Sequence, residues 1–282
     1  MKKSIIVLLY IFTLFLTLSI IFIIKTNFNS SHSDAISVFN NENKYYTIDL
    51  NGDHMKDVIL ISQDTSGADI VISTEDNIIS MSTLLNKKIQ SPFYLFFEDI
   101  TADNTSEVII YDLSEKTENI LYVYSYSKGE FKNILEEQCE SFGIIEFNDT
   151  KKLCITTDEE DYYVFSPSFD NALIKNSFSS LSSILRKDSY YELINMITGS
   201  NLSSKNGVGV FNQSTIPSSF INDLAHENSN YLGGYFTVQI DDITFEYSPT
   251  EWHSVMGSKS NVFSEYIFRI DDSSISLIKN PK

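Results

Sequence analysis

Asp49, Asn51, Asp53 and Asp57 put oxygen-bearing side chains at the first, third, fifth and ninth positions of one short stretch, Asp-Leu-Asn-Gly-Asp-His-Met-Lys-Asp. That spacing lets a tight loop aim several oxygens at one centre, as a hard cation such as calcium requires. Met55 would add its backbone carbonyl at the seventh position. His54 falls where the chain must turn with positive φ, and histidine is among the few non-glycine residues enriched there. The run Val58-Ile59-Leu60-Ile61 that follows has the β-branched content of a buried strand. An EF-hand is excluded, because a strand pattern follows the loop and Leu60 stands at its twelfth position in place of Glu.

The unit recurs about 50 residues later, where Asp99, Thr101, Asp103, Asn104 and Glu107 precede Val108-Ile109-Ile110-Tyr111. A third, eroded copy, Ile144-Ile145-Glu146-Phe147-Asn148-Asp149 before Leu153-Cys154-Ile155, is two residues shorter. Lys152 takes its ninth position, so no metal is expected there. Self-similarity at this period indicates a repeat architecture.

The stretch from Ile48 to Val58 resembles the D-x-N-x-D-x-x-x-D loop of FG-GAP/VCBS-type repeats, which form blades of β-propellers such as that of the integrin α-chain. The likeness covers residues 40–175. It implies propeller blades, calcium at Asp49, Asn51, Asp53, Met55 and Asp57, and binding in place of one fixed activity. A second calcium site is implied at Asp99, Thr101, Asp103 and Glu107, with Thr101 departing from the pattern as a neutral ligand. Such propellers commonly have about seven blades, more than 282 residues supply at this repeat length.

The elements that must position these loops follow from the rest of the chain. Met1-Lys2-Lys3 precedes 21 residues, 4–24, without a charge, and Lys25 ends them. At a rise of about 1.5 Å per residue such a run spans a hydrocarbon core of about 30 Å. A cleavable signal peptide is the competing reading, but it needs a shorter apolar run and a small-residue cleavage site. The expectation is an uncleaved anchor over 1–25 with its basic end inside. Residues 26–39 then form a polar linker, 40–175 propeller-like β-repeats, and 176–282 a small α+β or β-rich part, giving a mainly β fold. Within that last part a helix is expected after residue 177, a short one over 218–225, and strands over 235–240, 243–247, 262–270 and 274–278.

A net charge of −18 and a pI near 4.5 argue against nucleic acid, which needs a basic surface. Cys139 and Cys154 are the whole thiol inventory. Outside a membrane they are permitted to bridge, and a buried free thiol at Cys154 is equally consistent with its strand pattern. No nucleophile elbow, zinc-protease motif or phosphate-cradling loop is present. Glu251-Trp252-His253 sets the lone tryptophan beside an acid and a base, and reads as a loop anchor or core residue before it reads as a catalytic site. Together these point to a membrane-anchored, extracytoplasmic, calcium-binding module that binds an envelope protein or cell-wall polymer without catalysis. The loops near 64–67 and 158–161 and the Trp252-His253 segment are its expected contact points. The alternative is an anchored surface hydrolase with its site between the repeats and the C-terminal part. Protease added to intact cells should remove the bulk of the protein; a domain protected until lysis would contradict the orientation.

Overall fold

The computed structural model describes residues 36–38, 43–75, 77–114, 119–147, 150–157, 162–168, 172–177, 185, 187–198, 230–240, 249–257, 263–271 and 275–279. All fall in one compact unit, Ala35–Lys282. The expected anchor at 4–24 lies outside them, as do residues 158–161, 218–225 and 243–247. Among the described residues no helix is long and apolar enough to cross a membrane.

The chain is mainly β. In order come β1 (Ile36–Val38), β2 (Lys44–Ile48), β3 (Asp57–Asp64), β4 (Gly67–Ser73), β5 (Ile78–Ser80), helix α1 (Met81–Leu85), β6 (Phe93–Glu98), β7 (Glu107–Asp112), β8 (Ile120–Ser127) and β9 (Glu130–Gln138). Then follow β10 (Ser141–Phe147), β11 (Thr150–Thr156), β12 (Tyr162–Pro167), β13 (Leu173–Ser177), helix α2 (Lys187–Thr198), β14 (Asn230–Ile240), β15 (Thr250–Gly257), β16 (Phe263–Ile270) and β17 (Ile275–Lys279).

Three sheets result. Sheet I runs β2-β3-β4-β5, sheet II runs β1-β6-β7-β8-β9, and sheet III runs β13-β12-β11-β10-β14-β15-β16-β17. Side chains alternate across a strand, and in sheet II both sets are apolar, so both faces are buried. Leu95, Phe97, Val108, Ile110, Tyr122 and Tyr124 meet Ile59, Ile61, Ile70 and Ile72 of sheet I. Tyr94, Phe96, Ile109, Tyr111, Leu121 and Val123 meet Phe142, Ile144, Leu153, Ile155 and Tyr235 of sheet III. The far face of sheet III packs Phe236, Trp252 and Phe268 against Tyr190, Tyr191, Leu193 and Ile194 of α2. Each fully buried side chain of this size stabilises by about 1.5–3 kcal/mol.

The structure bears on four of these readings. The linker read as 26–39 ends sooner, because Ile36–Val38 pairs antiparallel with β6 (Ile36↔Leu95, Val38↔Phe93). No boundary falls at 175/176, since β10 pairs in parallel with β14 from Ser141↔Gly234 to Phe147↔Ile240 and fuses the third repeat to the C-terminal meander. The sheets do not close as a propeller: α2 covers the face that a following blade would take. Trp252 is not in a loop; it lies in β15, fully buried, its indole N–H donating to the Leu185 carbonyl at 3.1 Å. The two cysteines are free and lie in different layers, Cys139 between sheets II and III and Cys154 on the α2 side.

Glycine permits the close approach at the fused sheet. A Cβ on Gly234 would lie 2.2 Å from the His253 backbone oxygen, which sits on the paired strand and cannot simply rotate away. Gly234→Ala should cost about 1–3 kcal/mol as overpacking, read as a lowered melting temperature; an unchanged one would contradict this pairing.

Candidate metal centre

The two acidic loops have the same construction. Each joins an antiparallel pair, closing at Ile48↔Asp57 in sheet I and at Glu98↔Glu107 in sheet II. Gly52 and His54 have φ of 75° and 68°, and Ala102 and Asn104, one repeat on, have 58° and 67°. Asp49 accepts from the Gly52 and His54 N–H groups at 2.8 and 2.9 Å. Asp99 accepts from Asp103 and Asn104 at 3.2 and 3.0 Å. Asp53 accepts from the Met55 N–H, and Asp103 from the Thr105 N–H and hydroxyl. These local side-chain bonds let the loop fold on its own residues.

The ninth-position acid has a role that spacing alone did not reveal. Asp57 accepts from the Leu50 N–H at 2.8 Å, and Glu107 from the Ile100 N–H at 2.9 Å. Leu50 and Ile100 are fully buried, so each loop is pinned by one apolar side chain and one carboxylate. The apolar second position, in both copies, was the signal available in the sequence. Glu107 also takes the Thr101 N–H at 3.1 Å and the Thr101 hydroxyl at 3.0 Å. Asn51 lies among the loop acids, its amide donating to Asp53 at 2.8 Å. Met55 is exposed. The loops also touch each other: a Cβ on Gly52 would stand 3.2 Å from the Thr105 methyl.

Burial works against charge at the ninth position. It raises the carboxyl of Asp57 above its ordinary range, with the Leu50 hydrogen bond opposing and Asp53 and Asp49 adding repulsion. It raises Glu107 to about 7, against the hydrogen bonds from Ile100 and Thr101 and with repulsion from Asp103. The donor set is oxygen throughout, three carboxylates with an amide in one loop and a hydroxyl in the other, which suits a hard cation. Among the described residues no three His, Cys, Asp or Glu side chains are gathered as an ion-holding group, the acids being turned to backbone N–H groups. An ion would take their remaining lone pairs and replace burial's penalty with attraction. In the third copy the register Phe147↔Thr150 leaves only residues 148–149 between the strands, too few for such a loop.

A second polar cluster joins sheets II and III. His253 stacks on Tyr235 with ring centroids 4.1 Å apart, and its Nδ1 stands 3.5 Å from Glu265. The Tyr94 hydroxyl donates to the same Glu265 oxygen at 3.1 Å. Glu251, the neighbour singled out in the sequence, pairs instead with Arg269 across the strand. No protein-family model matches the chain, and no curated protein matches it either.

Because folding favours the protonated Glu107, it binds a proton more tightly folded than unfolded between pH about 4.5 and about 7. In chelator, metal-free stability should therefore fall as pH rises through that window and level off above it, by on the order of 3 kcal/mol. Glu107→Gln should flatten this part of the pH profile of the melting temperature; a wild-type profile already flat there would contradict the buried acid.

Proposed function

We propose that the chain is a membrane-anchored β-repeat module, held through residues 4–24 with its bulk outside, that binds an envelope protein or cell-wall polymer and uses calcium to stiffen its loops. The observation that carries the reading is the duplicated loop: acids at the first, fifth and ninth positions, two positive φ values and a buried second residue recur one repeat later. Carboxylates preserved at both copies are costly to bury without a counter-charge. A cation at each supplies it. In this reading Asp49, Asn51, Asp53 and Asp57 with the Met55 carbonyl hold one ion, and Asp99, Thr101, Asp103 and Glu107 hold the other. The chemistry is then structural: the ion fixes the loop where two strands meet, and leaves recognition to the surface around it.

The resemblance to FG-GAP/VCBS repeats supports the same assignment, and the strongly acidic composition fits an exported domain far better than a nucleic-acid binder. A hydrolase is favoured by one observation, the pairing of His253 with Glu265 and Tyr94. Against it, Trp252 is a core residue and Glu251 is committed to Arg269. The histidine and its partners serve in our reading to join two sheets.

Extracellular calcium modules bind at about 10⁻⁴ to 10⁻³ M, and at tenfold excess over such a constant each site adds about 1.4 kcal/mol. Calorimetric titration of the full chain in detergent should give saturable heat that Asp53→Ala diminishes. Equal heats for the two proteins would remove the calcium assignment. A substrate screen finding turnover that His253→Ala abolishes, with folding intact, would replace the binding reading by the hydrolase.

A further inference from the structure

Asn51 and Gly52 form a chemically reactive step whatever the loop binds. An asparagine side chain followed by glycine closes readily on the next backbone nitrogen, because glycine brings no Cβ to crowd the ring and leaves the backbone free to turn. The sequence holds this step twice, at Asn51-Gly52 and Asn206-Gly207, and only the first lies among the described residues. Asn51 is partly exposed and Gly52 exposed, with φ of 75° at the glycine. One repeat on, the matching step is Thr101-Ala102, which has no amide to lose. Asn104 in that loop precedes Thr105, whose branched Cβ hinders the same attack. The reactivity is therefore a property of the first loop.

The hydrogen bonds of that loop fall on the two groups that would react. The Gly52 nitrogen, which would attack, donates its N–H to Asp49 at 2.8 Å. The Asn51 side chain, whose Cγ would be attacked, is held at both of its ends. Its oxygen accepts from the Asp53 N–H at 3.0 Å, and its amide donates to the Asp53 carboxylate at 2.8 Å. Closing the ring breaks the first bond and turns the side chain from Asp53 back to Gly52, which breaks the other two. A hydrogen bond to a charged group is worth about tenfold or more in an equilibrium.

We propose that Asn51 is a site of spontaneous deamidation that the folded loop holds shut, with Asp49 as its guard. In the reaction the Gly52 nitrogen bonds to Asn51 Cγ, the Cγ–Nδ2 bond breaks, and ammonia leaves carrying the proton of the Gly52 N–H. Water then opens the ring at either carbonyl and leaves aspartate or isoaspartate; no oxidant or other reactant is needed. Aspartate adds a negative charge to a loop that already carries Asp49, Asp53 and Asp57. Isoaspartate routes the backbone through the side chain and lengthens it by one carbon. That change falls next to Leu50, which is fully buried and donates its N–H to Asp57. Either product loosens the loop where the core pins it. The inference needs no metal in the loops.

The test incubates the full-length chain in detergent with chelator and follows each asparagine by peptide mass spectrometry. Asn51 should deamidate at least tenfold faster in urea than in the folded chain, with Asn206 in urea as the internal standard for an unguarded step. Asp49→Ala should raise the folded rate at Asn51 at least fivefold. Asp64→Ala, which removes an acid at the opposite end of β3, should leave that rate unchanged, which separates the guard from general loosening of sheet I. If Asp49→Ala alters the circular dichroism, hydrogen exchange on the wild type decides, since the Gly52 N–H should be protected. An Asn51 that stays intact in urea, equal rates folded and unfolded, an Asp49→Ala rate no different from wild type, or an unprotected Gly52 N–H would each overturn the proposal.

Discussion

The fold depends on strands that are apolar on both faces. In β6 and β7 every side chain is buried, so sheet II cannot exist alone in water. Alternate side chains must find a cover on each side, and sheets I and III supply it. Everything else follows from this sandwiching. The loops sit where they do because they connect strands at one end of the stacked sheets. The stack ends where it does because α2, not another repeat, takes the last face.

That constraint explains which parts of the molecule the sequence discloses. The acidic loops are local: Asp49 through Asp57 and Asp99 through Glu107 fold mainly on their own side chains, and the positive φ at His54 and Asn104 follows from residue type and place. In β8, Tyr122 and Tyr124 lie on one face and Leu121 and Val123 on the other, an alternation legible in the sequence because each set packs on a different neighbour. The parallel pairing of β10 with β14 is a different matter. It joins Ser141–Phe147 to Asn230–Ile240 across all the chain between them, and no short-range pattern encodes it. β15 was hidden for a chemical reason. Its Thr-Glu-Trp-His-Ser-Val-Met-Gly run breaks the apolar alternation with Thr250 and Ser254, which are nonetheless fully buried, Ser254 satisfied by the Tyr190 hydroxyl at 2.7 Å.

The buried ninth-position acids show how local chemistry and packing meet. Leu50 and Ile100 draw their loops against the core, and the carboxylate beneath each takes the N–H that would otherwise be unmade. A neutral acceptor would do that at lower electrostatic cost. In the proposed reading a cation at each loop supplies the counter-charge for Asp57 and Glu107, each raised toward neutrality by burial. The third repeat differs in its register, which leaves two residues between the strands.

The most direct test is a crystal structure of the protein grown with a lanthanide in place of calcium, read by anomalous scattering. The account predicts one peak within coordination distance of Asp49, Asp53 and Asp57, a second beside Asp99, Asp103 and Glu107, and none at residues 148–149. Acidic loops without a peak at saturating ion, with the carboxylates still turned to their backbone N–H groups, would contradict it.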